Sequence, residues 1–332
     1  MKVWGPYIAR RLIFAVFLVF AVSSSSLILA RLAGGDYVTE SLGIEAHAET
    51  VEQARARYGL DKSIGAQYRD WLGRVVRLDL GRSLLYDRPV SDLIPERAAN
   101  TAILAFTALL FATLIGLPLG VVAGSRRRGP GGAGGPGGPG GVIPGVIRAT
   151  SLVLLSMPPL LTSLFLIFVA ARTGWMPIAG MRSPGEPSTG LTLDLLRHLI
   201  VPAGALALPL AAMFERLQAQ AMAEAIGAPF VLATLARGVP RSRVVWRDAL
   251  KASLRPIAAV YGIVIGTLLS GSFVVEVITA WPGLGRLMLD ALRARDVFLV
   301  AGCAGAGSIF LALGSLLSDA ALALVDPRVA EP

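Results

Sequence analysis

The chain has little of what soluble proteins and metal-dependent enzymes rely on. Charged residues make up only 16% of its 332 residues, whereas hydrophobic residues make up 54%. This balance excludes an ordinary soluble domain and is typical of a membrane protein. The single cysteine, Cys303, excludes an internal disulfide. The two histidines, His47 and His198, lie far apart in sequence and do not predict a histidine-based metal site.

The motifs of common catalytic sites are missing as well. No G-x-x-x-x-G-K-[ST] phosphate loop occurs, so the chain carries no recognisable ATPase site of its own. No H-E-x-x-H zinc motif occurs, and no Ser/His/Asp arrangement has support in the sequence. We therefore predict no catalytic residue, no metal site and no cofactor bound by this chain.

Long apolar runs predict an all-α integral membrane protein with six transmembrane helices. The runs cover residues 12–30, 101–124, 146–171, 198–213, 257–278 and 297–325. A cleavable signal peptide is the alternative for the first run, but this run is too long and no small-x-small cleavage site follows before Arg31. Within the third run, the adjacent prolines Pro158 and Pro159 predict a kink.

Charge predicts which loops face the cytoplasm. Arg126, Arg127 and Arg128 follow the second run with no acid nearby, and the net charge is +9. The positive-inside rule accounts for this excess more simply than nucleic-acid binding does, and six spans then leave both termini in the cytoplasm. Residues 215–255 hold seven basic and three acidic residues, so they too are predicted to be cytoplasmic.

These predictions divide the chain into segments. Residues 1–32 form the tail and first span, 33–97 an external loop, and 98–326 a five-span core that includes a hairpin at 228–256. The external loop has nine basic and eleven acidic residues and cannot enter lipid; helical patterns at 49–58 and 64–78 predict that it is helical. One apolar face of the second pattern is predicted from Tyr68, Trp71, Leu72, Val75 and Leu78. Residues 129–141 are almost entirely glycine and proline, which is typical of a flexible loop.

The basic stretch 228–256 predicts two short helices joined at a glycine. Pro229 and Pro240 suit first helical turns, and Gly238 suits a helix stop between them. On a helical wheel, an arc of roughly 160° collects the polar side chains Arg241, Arg243, Arg247, Asp248, Lys251 and Arg255. The remaining arc collects Val245, Trp246, Ala249, Leu250, Ala252 and Leu254, with Val244 as the one misfit. By periodicity alone, a basic amphipathic helix lying on anionic lipid explains this pattern equally well.

A second pattern lies at the end of the fifth apolar run. Glu276 is followed by the turn-forming sequence Trp281-Pro282-Gly283-Leu284-Gly285. After the turn, one apolar helical face is predicted from Leu284, Leu287, Met288 and Ala291. The alternative is an ordinary re-entrant turn with an interfacial tryptophan, and Glu276 is either a functional intramembrane acid or a side chain that snorkels to the headgroups.

Three stretches of the chain together resemble permease subunits of ABC importers of the dipeptide, oligopeptide and nickel class. Leu232-Ala233-Thr234 occupies the place of the family's E-A-A, with Gly238 at the family spacing and Pro256 closing the run. YGLDK, QY and LDLGRS within residues 58–83 resemble the family's L-G-L-D-K-P, Q-Y and G-D-L-G-x-S. The segment from Glu276 to Gly285 reproduces the family's pattern E-x-x-x-x-W-P-G-L-G. Leu232, Thr234 and Ser63 depart from the pattern.

The resemblance implies a type I ABC importer permease in the bacterial inner membrane that moves peptides or a related small solute by alternating access. Its implied partners are a second related permease, two cytoplasmic ATPases that carry ATP and Mg, an external substrate-binding protein and the lipid bilayer, with no nucleic acid. The implied ATPase contacts are Leu232, Ala233, Thr234, Arg237 and Gly238, with Arg241, Arg243 and Arg247. A secondary carrier or a membrane enzyme is the alternative, but the spans offer few acids beyond Glu276.

Overall fold

The computed structural model describes residues 4–33, 37–42, 52–53, 55–56, 60–125, 142–185 and 192–325. Over these residues the chain is helical, and a single β-bridge joins Arg82 to Pro89. The all-α prediction is therefore confirmed. The predicted helix 49–58, the glycine- and proline-rich loop 129–141 and the C-terminal residues 326–332 lie wholly or largely outside the described residues.

The helices follow the apolar runs of the sequence. The first part of the chain contains α1 (Trp4–Leu32), α2 (Tyr37–Leu42), α3 (Ile64–Val75), α4 (Val90–Ser125), α5 (Val142–Ser156), α6 (Pro159–Thr173), α7 (Leu193–Ile226) and α8 (Pro229–Ala236). A helical segment in three pieces comes next: Arg241–Arg243, the π-helical Val244–Ala249, and Leu250–Ser253. The last helices are α9 (Arg255–Gly271), α10 (Phe273–Ile278), α11 (Leu284–Arg293) and α12 (Val297–Val325).

Four helices are long and apolar enough to cross a membrane. They are Ala9–Leu32, Val90–Ser125, Leu193–Ile226 and Val297–Leu317. Two pairs of helices pass the same test but are bent, Val142–Ser156 with Pro159–Thr173 by 107° and Arg241–Ser253 with Arg255–Leu269 by 55°. If each bent pair counts as one span, the number by length and composition reaches six. In the second pair, only Arg255–Leu269 coincides with the predicted fifth run, whereas Arg241–Ser253 belongs to the predicted hairpin 228–256.

The predicted kink at the double proline is a sharp bend. Pro158 adopts an extended conformation (ψ 147°) before α6, and Pro159 occupies the first turn of that helix. A first-turn proline breaks no hydrogen bond, because its missing N–H would have no partner within the helix. The two prolines thus end one helix and start the next, and the 107° bend follows from local sequence.

The fourth span is longer than its apolar run. We predicted its end at Met213, but α7 continues through Glu215 and Arg216 to Ile226. That prediction was wrong because glutamate and arginine are good helix formers, so loss of hydropathy does not end a helix. At its N-terminus, Thr192 caps α7, its side chain accepting a hydrogen bond from the Leu195 N–H at 3.2 Å.

Contacts divide the chain into two compact units. The first unit comprises Met1–Ala102 and Leu269–Leu313, and the second comprises Ile103–Leu268 and Gly314–Pro332. In the first unit, the predicted apolar face of α3 packs into a core that also contains Leu27 and Leu287; Trp71 is buried there. Tyr68 beside it donates a hydrogen bond to Ser24 Oγ at 3.2 Å.

Leu78 does not belong to this apolar face, although the sequence pattern placed it there. The helix ends at Val75, and a Schellman closure follows in which the Leu78 N–H bonds to Val75 O and the Asp79 N–H to Arg74 O. This closure puts Leu78 at φ +61°, a position that usually holds glycine, and leaves its side chain 89% exposed. The left-handed conformation costs a leucine about 1–2 kcal/mol.

In the second unit, glycines at every fourth position of α4 allow that helix to approach α7 closely. A Cβ atom added at Gly120 would lie 2.5 Å from Gln218 Cβ and 2.7 Å from Glu215 O, and one added at Gly116 would lie 2.5 Å from Ala211 O. Gly124 meets the next turn of α7 in the same way. Small residues at this spacing let the backbones of membrane helices come together, so any side chain here would push the helices apart.

We predict that Gly120→Ala lowers stability by about 1–3 kcal/mol through overpacking, measured as the unfolding midpoint of the purified protein in detergent. Gly145→Ala is the matched control, since no atom lies within 4 Å of its added Cβ. Its midpoint should be unchanged or raised, because alanine favours helix over glycine. Equal midpoints for the two variants would contradict the packing role of Gly120.

Candidate functional site

The predicted helix–glycine–helix hairpin is present in the second unit. Its first arm is α8, which begins with Pro229 in the first turn. Gly238 follows the arm at φ +81°, and its N–H bonds to Leu235 O at 3.0 Å. Only glycine adopts this left-handed conformation without cost, and no atom lies within 4 Å of the position of a Cβ on Gly238. The second arm comprises Arg241–Arg243, Val244–Ala249 and Leu250–Ser253.

The inner side of the hairpin is an apolar core. Both arms contribute buried residues that pack with residues of α4 and α7, and the cluster consists of Val121, Met222, Ala225, Val231, Val244, Val245 and Ala249. Beside it, Gln218 donates a hydrogen bond to Ser253 Oγ at 2.8 Å. The hairpin is thus fixed to the two long helices by packing and by a buried hydrogen bond.

A π-helical turn in the second arm changes which side chains face this core. We predicted Trp246 on the apolar face and treated Val244 as a misfit, but Val244 is buried and Trp246 is 51% exposed. In a π-helix, residues i and i+5 bond to each other and share a side, so Val244 aligns with Ala249. In an α-helix the same two residues would lie about 140° apart. The wheel prediction failed because it assumed α-helical geometry.

The outer side of the hairpin carries the residues that the sequence assigned to partner contact. Those exposed are Leu232, Ala233, Arg237, Gly238, Arg241, Arg243 and Arg247, and Thr234 is half-buried. Thr234 Oγ1 donates to Phe230 O at 2.8 Å and accepts from Arg237 Nη2 at 3.0 Å. Arg241 Nη2 donates to Ser125 O at 3.1 Å, which ties the second arm to the end of α4.

In the first unit, the W-P-G-L-G sequence forms a buried turn. Trp281 is fully buried, and its indole N–H donates to Asn100 O at 3.0 Å. Asn100 in turn donates from its side chain to Pro282 O at 2.9 Å. These reciprocal bonds join the turn to α4, so Trp281 is a core residue of the fold. The alternative of an interfacial tryptophan is wrong.

Glu276 lies at the centre of this turn and is also fully buried. Its Oε1 accepts hydrogen bonds from Thr101 Oγ1 at 2.8 Å and Ser272 Oγ at 2.7 Å. Its Oε2 accepts from the backbone N–H groups of Gly285 at 2.7 Å and Arg286 at 3.3 Å, at the start of α11. A buried carboxylate is stable only with such partners. Glu276 therefore does not snorkel to the headgroups.

Both glycines of the motif are required by close packing around this carboxylate. A Cβ on Gly283 would collide with the Glu276 carboxyl group, and one on Gly285 would lie 2.6 Å from Phe273 Cα. After the turn, Leu284, Leu287 and Ala291 are buried and Met288 packs against the same core. The predicted apolar face of α11 is confirmed.

Sequence reasoning missed a second buried carboxylate, Asp296. Its Oδ2 accepts from Ser83 Oγ at 2.6 Å and from the N–H groups of Leu84 and Leu85 at 2.7 and 3.1 Å. Its Oδ1 caps α12 by accepting from the Leu299 N–H at 3.1 Å. An acid directly before an apolar helix signals such a cap, but nothing local indicates Ser83 as its partner. Burial raises the pKa of the hydroxyl of Tyr86, whose backbone N–H donates to Ser83 Oγ at 3.1 Å.

Among the described residues, no three or more His, Cys, Asp or Glu side chains are grouped so that they could hold a metal ion. His198 is buried, and its Nδ1 lies 2.9 Å from Asp194 O, one helical turn before it.

We predict that Glu276→Ala destabilises the fold by at least about 3 kcal/mol, because it leaves several buried donors without an acceptor. The unfolding midpoint and the monodisperse fraction in detergent measure this. Glu96→Ala on the same helix as Thr101 is the control, since Glu96 is exposed and its loss should change neither quantity. A Glu276→Ala variant as stable as Glu96→Ala would refute the bonding role of the carboxylate.

Comparison with known proteins covers nearly the whole chain. Residues 116–331 match the family described as "Binding-protein-dependent transport system inner membrane component", and residues 6–105 match the family of its N-terminal part. The oligopeptide transport system permease protein AppB of Bacillus subtilis is 30% identical over 98% of this chain and 99% of its own length. The di/tripeptide transport system permease protein DppB of Pseudomonas aeruginosa is 31% identical over 97% of this chain and 98% of its own.

The fold also matches a solved structure. A chain of the MetNI methionine ABC transporter, in an inward-facing conformation, superimposes with a TM-score of 0.51 over 72% of this chain and 97% of that one, at 18% identity. This likeness shows the fold of a type I ABC importer permease and agrees with the resemblance read from the sequence. The chain is a transport subunit rather than an enzyme, and it belongs to the family of binding-protein-dependent transport system inner membrane components.

Proposed function

We propose that this chain forms part of the translocation path of an ATP-driven importer of short peptides and that its hairpin transmits the motion of separate ATPase subunits. The relatives named above are described as oligopeptide and di/tripeptide permeases, and their similarity to this chain extends over almost their full length. The observation that carries the coupling role is the hairpin itself: its outer face is exposed, and its inner face is packed against two long helices.

The coupling mechanism follows from the hairpin's two faces. An ATPase that grips the outer face around Leu232, Arg237 and Gly238 would move the hairpin as a body, because its inner core contains Val121 of α4 and Met222 of α7. Packed interfaces transmit such displacements as rigid shifts. ATP binding would push the hairpin, and the attached helices would open the path outward to receive substrate.

The proposed assembly contains a second related permease, two cytoplasmic ATPases and an external substrate-binding protein, in a bacterial inner membrane. Both termini and the hairpin 228–256 would be cytoplasmic, and the excess of basic residues in the N-terminal tail and in the hairpin agrees with this. Residues 33–97 would be the external loop, 98–326 the five-span core, and 129–141 a flexible cytoplasmic loop. ATP and Mg would be bound by the ATPase subunits alone.

A secondary carrier is not favoured. Such a carrier needs an intramembrane acid that is free to gain and lose a proton or an ion. Glu276, the acid that the sequence offered for this role, is fully buried and accepts four hydrogen bonds. These bonds fix it in a structural position.

Co-purification tests the assembly. We expect the tagged chain, gently solubilised from its native membrane, to retain a second permease and an ATPase with a P-loop, both identified by mass spectrometry. The reconstituted complex should import labelled di- and tripeptides only with ATP. A chain that elutes without an ATPase in several detergents, or peptide uptake that needs only an ion gradient, would overturn the proposal.

Variants of Gly238 test the coupling turn. Asparagine and aspartate both tolerate a left-handed conformation, so Gly238→Asn and Gly238→Asp keep the backbone and differ in charge. We expect Gly238→Asp to uncouple peptide uptake from ATP hydrolysis while the subunit stays in the membrane, because a negative charge enters a basic contact surface. Gly238→Asn is the control and should retain most uptake. Normal transport by Gly238→Asp would show that this turn does not couple.

A further inference from the structure

We propose that Trp246 is a principal anchor of the contact with the ATPase, a residue-level inference that rests on the coupling role proposed above. The π-helical turn Val244–Ala249 carries Trp246 out of the hairpin core and leaves it 51% exposed. A tryptophan placed outward on a segment whose neighbours Val245 and Ala249 are buried leaves a large apolar surface uncovered. The π-helical turn therefore exposes an apolar side chain that a partner protein can bind.

Trp246 is one of three large apolar side chains on the outer side of the hairpin. Phe230 is 51% exposed and Leu232 is 53% exposed, both on the first arm. The two arms are held together by the shared inner core, in which Val231 of the first arm packs with Val244 and Val245 of the second. The exposed side chains thus belong to one fixed hairpin, which presents them without a large ordering cost on binding.

Cations accompany these apolar side chains. Arg243 and Arg247 flank Trp246 in sequence and are exposed. Across the hairpin from Arg237 to Arg255, six basic residues accompany one acidic residue, Asp248. The complementary surface is therefore an apolar pocket for the indole with acidic residues at its rim, and we assign that pocket to the ATPase subunit.

The distribution of apolar and charged side chains on the hairpin surface favours a protein partner over lipid. A helix that lies on a membrane separates an apolar face, which enters the acyl region, from a polar face in water. In this hairpin the apolar face is already buried by Met222 and Ala225, while the exposed side mixes aromatic residues with arginine. Tryptophan and arginine are the residues most enriched at the energetic centres of protein interfaces.

Site-specific photo-crosslinking tests the assignment in the native membrane. The photo-reactive amino acid p-benzoylphenylalanine replaces Trp246, Leu232 or Trp175 in turn, and the adducts are identified by mass spectrometry. Trp175 is the matched control, since it is an exposed tryptophan at 82% that lies in the loop after α6, outside the hairpin. We expect positions 246 and 232 to capture a P-loop ATPase and position 175 to capture none.

The outcomes separate this inference from the proposed function. Capture of the ATPase at 232 but not at 246 would overturn the anchor and leave the coupling hairpin standing. Capture at neither position would overturn both. Adducts at 246 only with lipid would show that the hairpin lies on the membrane.

Measurements of ATPase retention give a second test, in which the variants contain only natural amino acids. We expect Trp246→Ala to weaken retention of the ATPase at least tenfold, as at interface centres, while Trp246→Phe keeps most of it. Arg243→Ala should chiefly reduce the salt dependence of association with the ATPase, because charges at the rim of an interface mainly change the rate at which the two proteins associate. The elution profile of each variant reports its folding. Unchanged retention in a folded Trp246→Ala variant would overturn the proposal.

Discussion

The buried carboxylate of Glu276 is the interaction on which the first unit depends. Removing a carboxylate from water costs several kcal/mol unless hydrogen bonds replace its hydration. Thr101, Ser272 and two backbone N–H groups at the start of α11 supply them. The need for these donors explains the glycines around the carboxylate: Gly283 leaves space for the carboxyl group, and Gly285 lets the start of α11 approach Phe273 and the carboxylate oxygen. The turn, the helix after it and the start of the second span are thereby fixed together.

The second unit joins the exposed hairpin to two long apolar helices, α4 and α7. Its glycines let α4 and α7 approach, and the hairpin core continues this packing beyond the point where the apolar run of α7 ends. The extension of α7 to Ile226 is what brings Met222 and Ala225 under the hairpin. A helix that stopped at Met213 would have left the hairpin without a support. The length of α7 is thus part of the support of the hairpin to which we assign the coupling role.

Much of this structure could be predicted from the sequence because its signals are local. Adjacent prolines bend the third span, Gly238 ends the first arm of the hairpin, and residues after Leu284 form an apolar face. Features that depend on contacts between residues far apart in sequence could not be predicted. Nothing near Asp296 indicates that Ser83 is its partner, and the exposure of Trp246 depends on a π turn that has no clear sequence pattern. Helix ends were also missed where charged helix formers follow an apolar run.

The partners of Glu276 and Asp296, the buried carboxylates of the first unit described above, also determine when this unit can close during synthesis. Thr101 leaves the ribosome long before Glu276, and Ser83 long before Asp296, so both acceptors are made last. Between them lies Ile103–Leu268, the main part of the second unit. The residues up to Thr101 are therefore synthesised with these donors not yet paired to their carboxylates, while the middle of the chain is inserted. The completion of one unit is thus coupled to the insertion of the other, and a chain truncated before residue 276 would lack the acceptor that closes the first unit.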